Sequence, residues 1–210
     1  YANSVRTVNE VLRLEPQNGE AYFMLGVNFR EMGELEKAIN SFQTAVEIDP
    51  ELIDAWIILG ELHERTGTGD PLRYYDNALL ISPDNPNVLH SKAFYLQNNG
   101  DIPKALEVYR EINIKNPQYT DAYINAGILY IEQDSFEQAF EQMNILIGVA
   151  PENPYGYFYR AMIHKAYGNF DAAESDLVNA QNVSKEFPAA DKELELVRAE
   201  LAKSGAKEGE

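Results

Sequence analysis

No cysteine occurs in the 210 residues. That removes disulfide frameworks, thiolate nucleophiles and Cys-ligated zinc together, while leaving reducing and oxidising compartments equally open. Basic residues are scarce, 17 Lys and Arg against 34 Asp and Glu, for a formal charge of -17. Such a field repels phosphate backbones and anionic headgroups, so nucleic acid is not an expected partner. Long apolar runs are missing as well. The best, 55–60 and 145–150, fall far short of the roughly 18 to 20 residues that a spanning helix needs, so direct membrane insertion is not expected.

Catalytic patterns are also lacking. The chain has no Gly-rich phosphate loop, no G-x-S-x-G elbow and only three histidines, His63, His90 and His164, none with a second His at ligand spacing. Carboxylate pairs such as Glu34 with Glu36, or Glu193 with Glu195, read as solvated helix faces in an acidic protein. The residues therefore point to a chain that is not an enzyme and that takes neither metal nor cofactor. With 45% hydrophobic and 24% charged residues, it has the composition of a folded protein and not of a disordered one.

What is present is a period. Pro16, Pro50, Pro83, Pro117 and Pro151 recur every 33 or 34 residues, each at the end of a similar phrase, and proline there stops a helix. About six residues after each proline comes a large apolar residue, and three and four residues further on a pair that ends in Gly or Ala. The instances are Tyr22, Leu25, Gly26; Trp56, Leu59, Gly60; Leu89, Lys92, Ala93; Tyr123, Ala126, Gly127; and Tyr157, Arg160, Ala161. Spacings of three and four share one helical face. A second helix in each period carries Ala38 and Phe42, Pro71 and Tyr75, Ala105 and Tyr109, Ala139 and Met143, and Ala173 and Leu177. Gly33, Gly67, Gly100 and Gly168, with Asp134 in the equivalent place, fall where the first helix should end.

This pattern resembles the tetratricopeptide repeat family, W-x2-L-G-x2-Y, then A-x3-F, then P. The resemblance implies an all-α fold, a right-handed superhelical solenoid of antiparallel helix pairs. Repeats are expected at 19–52, 53–85, 86–119, 120–153 and 154–187, and the second, one residue short, should show a changed helix length. Residues 1–18 read as the second helix of a truncated repeat, with Val5, Val8, Val11 and Leu12 apolar, and 188–203 as a capping helix that turns Leu194, Val197 and Leu201 inward. The stretch 204–210 is expected to be disordered. Because the chain begins at Tyr1 with neither Met nor a signal-like stretch, it is expected to be a processed product or an excerpt.

Family resemblance also implies a ligand groove lined by the second, fifth, ninth and twelfth residues of each repeat. Its candidate binding residues are Phe23, Val27, Ile57, His90, Phe94, Ile124, Ile128, Ile131, Tyr155, Phe158 and Met162, with Glu20, Arg30, Asp54, Glu61, Glu64 and Asp121 among the charged neighbours. The Lys and Asn carboxylate clamp of the chaperone-binding members is absent, since Phe23, Val27 and Ile58 stand in its places. The implied function is a protein-interaction scaffold that takes an apolar or amphipathic polypeptide segment, with inter-repeat packing as the alternative role for the same residues. Self-association, or service as the adaptor region of a longer protein, are the rival functions. Abundant Asn and Tyr without Cys point to a bacterial cell envelope, with the cytoplasm as the alternative.

Overall fold

The computed structural model describes residues 1–207, and among these there are twelve helices and no strand. After a single helix α1 (Ala2–Leu14) come five consecutive helix pairs along the chain: α2 (Gly19–Glu31) and α3 (Leu35–Ile48), α4 (Ile53–Thr66) and α5 (Pro71–Ile81), α6 (Pro86–Asn98) and α7 (Ile102–Lys115), α8 (Thr120–Glu132) and α9 (Phe136–Val149), and α10 (Pro154–Ala166) and α11 (Phe170–Val183). A last helix, α12 (Pro188–Lys207), ends the described chain. It runs past 203, so part of the stretch expected to be disordered is helical; the remainder, 208–210, lies outside the described residues. No helix among the described residues is long and apolar enough to cross a membrane.

Local chemistry sets these boundaries. Each period proline sits two residues beyond the last residue of α1, α3, α5, α7 or α9, where it has no helical amide to give up. First helices end in one repeated cap. In the first hairpin Gly33 takes φ 76°, its amide donates to the Arg30 carbonyl at 3.0 Å, and the Glu34 amide reaches back to the Phe29 carbonyl at 2.9 Å, the double bond of a Schellman motif. The cap recurs at Gly67, Gly100 and Gly168, and at Asp134, whose φ of 53° is the one positive value at a non-glycine among the described residues. At the other end of the helices, Asn18, Asn85 and Asn153 accept amide hydrogens of the first turns of α2, α6 and α10, and Asp70 does so for α5.

The chain forms two compact units, 1–108 and 109 onward, with the division inside α7. In the first, α2 packs on α3 and α4 on α5, α3 meets α4, and α4 also touches α6. In the second, α8 packs on α9 and α10 on α11, α9 meets α10, α8 touches α10, and α12 covers α11. The buried centre is made by the second-helix signature: Ala38, Phe42, Tyr75, Ala105, Tyr109, Ala139, Met143, Ala173 and Leu177 are all at most 1% exposed. In α12, Ala190, Leu194 and Val197 are buried against Ala173, Leu177 and Ala180, and Leu201 packs beside them.

Glycine matters most where helices cross. A Cβ on Gly60 would lie 2.5 Å from Cε1 of Tyr75, a ring 1% exposed with nowhere to go. On Gly127 it would meet the terminal methyl of Met143, the far end of a flexible though buried side chain. Replacing Gly by Ala gains about 1 kcal/mol of helix propensity, while overpacking costs about 1 to 3 kcal/mol. We therefore expect Gly60→Ala to lower the thermal midpoint clearly and Gly127→Ala to change it little. Equal midpoints for the two variants would show that the rigid aromatic contact does not set the difference. Asp134→Gly should raise stability by up to about 1 kcal/mol, because it removes the left-handed penalty of a side chain at that cap.

Candidate functional site

The candidate groove residues lie on first helices: Phe23 and Val27 on α2, Ile57 on α4, His90 and Phe94 on α6, Ile124, Ile128 and Ile131 on α8, and Tyr155, Phe158 and Met162 on α10. None is among the fully buried core residues; nine are half-buried, and Phe94 and Tyr155 are 45% and 43% exposed. They stand on the flank of each first helix that its own hairpin leaves partly uncovered.

Within the unit 1–108, Phe23 and Val27 lean on the cluster around Phe42 and Leu59, with Phe23 edge-on to Phe42 at 5.5 Å. Ile57 leans on Tyr75, Ala78 and Val88. Phe23 also borders a pocket of about 380 Å³ with Glu20, Met24, Glu51, Leu52, Ile53 and Asp54. His90 and Phe94 stack with ring centroids 6.3 Å apart, and with Glu61, Glu64, Tyr75 and Ser91 they line a second pocket of about 300 Å³. Burial pushes the Glu61 carboxyl above the ordinary range, opposed by Arg30 and reinforced by Glu64. Burial first, then the charges of Glu61 and Glu64, pushes the Tyr75 phenol upward.

Within the second unit, Ile124 and Ile131 pack against the cluster of Tyr123, Met143, Leu146 and Ile163. Phe158 and Met162 pack instead against the cluster of Leu177, Leu194 and Val197. Phe158 is edge-on to Phe187 at 5.2 Å, and Tyr155 meets the same ring at 5.3 Å. Phe158 is thus shared between surface and core, whereas Tyr155 and Ile128 stand more freely.

Several features escape the motif reading. Phe187, just ahead of α12, joins Tyr155 to Phe158 and is foreshadowed only by being an aromatic before a proline. Met24, 48% exposed beside Phe23, lies off the expected groove positions. Arg160, which occupies a consensus leucine place, donates through Nε and one terminal amine to both carboxylate oxygens of Asp176 at 2.8 and 2.7 Å, and through the other to Asn144 at 2.8 Å. Of the histidines, His63 is buried, stacks on Tyr74 at 4.6 Å and places Nδ1 2.9 Å from the Thr68 carbonyl. His164 packs edge-on to Phe140 at 5.2 Å and sets Nε2 3.8 Å from Asp176.

A hairpin with small residues at the crossing, an A-x3-aromatic second helix and a proline stop is the geometry that comparison with known proteins can name. Models described as "TPR repeat" and "Tetratricopeptide repeat" match residues 28–67 and 74–107. The chain belongs to the tetratricopeptide repeat (TPR) family. Human tetratricopeptide repeat protein 6 is 26% identical over 153 residues, 73% of this chain and 29% of that protein. The chain thus spans less than a third of that relative. Among solved structures, yeast Tom70 superposes with a TM-score of 0.76 at 18% identity over 94% of this chain and 43% of its own. YrrB, described as a TPR protein with an unusual peptide-binding site, gives a TM-score of 0.62 at 15% identity over 87% of this chain and 95% of its own. Both structures show the TPR-type helical repeat fold, in a family that is generally a non-catalytic scaffold for protein–protein interaction.

The Arg160 clip gives a test of hairpin energetics. Asp176 is 6% exposed in its side chain and Arg160 22%, so removing one partner strands a buried charge at a cost of about 3 kcal/mol. Arg160→Met should therefore destabilise strongly, and adding Asp176→Leu should recover much of the loss. Urea unfolding of the two single variants and the double variant measures the coupling; additive losses would show that the pair does not act as a unit.

Proposed function

We propose that this chain binds a polypeptide segment of a partner protein along the exposed flank of its first helices, and that it carries out no chemistry of its own. The observation that supports this most directly is the exposure of Phe94 and Tyr155. Large aromatics are the residue type enriched where partners bind, and the first helices of each unit also carry half-buried apolar residues, Val27 and Ile57 in the first and Ile124 and Ile128 in the second. Acidic residues border the apolar positions, which favours an amphipathic segment with basic residues and disfavours acidic tails. The likeness to YrrB, whose description includes a peptide-binding site, supports the same reading. On composition alone we place the protein in a bacterial cell envelope, which cell fractionation tests directly.

Self-association is a second reading, motivated by α1, which has no buried residue and leaves Val11 and Leu14 38% and 76% exposed. Light scattering over a concentration series separates it from binding to another protein.

Phe94→Ser and Ile128→Lys together should leave helicity intact, with a stability change within about 0.5 kcal/mol per site. The same pair should weaken partner capture by at least about 2 kcal/mol. Phe158 is kept out of the pair because it packs on the core. Capture from native lysate followed by melting of the same preparation reads both; a folded double variant that retains the same partner would move the binding surface elsewhere.

A further inference from the structure

The pocket between α4 and α6 holds more negative charge than its own surroundings balance. Glu61 and Glu64 are three residues apart on α4 and so share a face. Among the described residues neither carboxylate takes part in a hydrogen bond or an ion pair. Arg30 acts on Glu61 only through its field, and its own nearest carboxylate oxygen is that of Glu31 at 3.5 Å. The two acids line one pocket with the buried ring of Tyr75. The opposite wall is aromatic, made by the His90 and Phe94 stack with Phe94 45% exposed.

We propose that this pocket is the receptor for a lysine or arginine side chain of the partner polypeptide, with the cation held by Glu61 and Glu64 and the aliphatic stem laid along Phe94. The proposal rests on the groove reading above and deepens it by naming the partner's chemistry. Lys and Arg are suited to such a site because their stems cover apolar surface while the charged head stays polar. A carboxylate bonded to a cation forms the shorter, stronger kind of hydrogen bond, and an aromatic face attracts the same cation. Glu61 and Glu64 repel each other across the same pocket in the free protein, so an incoming cation relieves that repulsion. An acidic or wholly apolar segment would leave that repulsion in place. A bare metal ion is a poorer fit, since no group of three or more ligating His, Asp or Glu forms among the described residues.

A displayed library of random 12-residue peptides, selected on the whole chain, tests this. Selected peptides should be enriched in Lys or Arg next to apolar residues. Their affinity should fall at least about tenfold in the Glu61→Gln, Glu64→Gln variant, which keeps side-chain shape and the wild-type melting curve. Binding of those peptides should also weaken with added salt and as pH falls through the raised Glu61 range, where the carboxylate takes up a proton. Selected peptides without basic enrichment, or basic peptides that bind the Gln variant equally well, would overturn the pocket assignment and leave the groove reading standing. If the wild-type chain selects no peptide at all, both readings fall.

Discussion

Two helices in a hairpin come together closely where one of them offers no side chain beyond a methyl group, and the fold depends on that crossing. In the first hairpin a Cβ at Gly26 would stand 2.8 Å from the Phe42 ring, in the second one at Gly60 would stand 2.5 Å from Tyr75, and in the fourth one at Gly127 would stand 2.2 Å from Met143. In the fifth, Ala161 takes the place, buried in one cluster with Leu177. A large second-helix side chain fills the hollow each time and is sealed from water. The apolar area buried this way is worth roughly 25 cal/mol per Å², but only if the neighbouring hairpin closes the other side, so no hairpin is a complete domain by itself.

The same crossing decides what is left for binding. A first helix that turns its small residues to its partner has its large ones on the flanks. One flank takes Leu25, Leu59, Leu89 or Leu129 into the core. The other keeps Phe23, Ile57, Phe94, Ile128 or Tyr155 half-buried or exposed. Stability and recognition therefore use different positions of one helix, although Phe158, packed on Phe187 and the terminal cluster, belongs partly to both.

Helix ends were legible in the sequence because they rest on local chemistry. Proline two residues past a helix and glycine at a left-handed cap act without knowledge of the rest of the chain, and even Asp134 in a glycine place takes the expected backbone. The second-helix core was legible for a related reason, since a four-residue spacing fixes a helical face. The surface was less so. That Phe158 leans on the core while Tyr155 stays 43% exposed depends on where Phe187 lands, a contact across 29 residues that no local pattern encodes. The Arg160 and Asp176 pair was marked only by a charge in a leucine place. Its partner on the next helix, 16 residues on, is set by the hairpin and not by the motif.

The short second repeat connects these levels. Its second helix has 11 residues where the others have 14, and the loop before it turns through two left-handed glycines, Gly67 and Gly69. That loop folds onto His63, with Thr68 holding Nδ1 through its carbonyl and its hydroxyl at 2.9 and 3.0 Å. A side chain at Gly69 would stand 3.0 Å from the same nitrogen. His63 in turn stacks on Tyr74 of α5, so the last turn of α4 is tied to its hairpin from one side. In a helix, residues 61 and 64 project together, well away from the direction of residue 63. The tether fixes the last turn of α4 and with it Glu61 and Glu64, which stand about 160° and 100° around the helix from residue 63, and two like charges held on a rigid element keep their repulsion in the free protein. What looks like an irregular, shortened repeat is in this way the support of the pocket that Glu61 and Glu64 line.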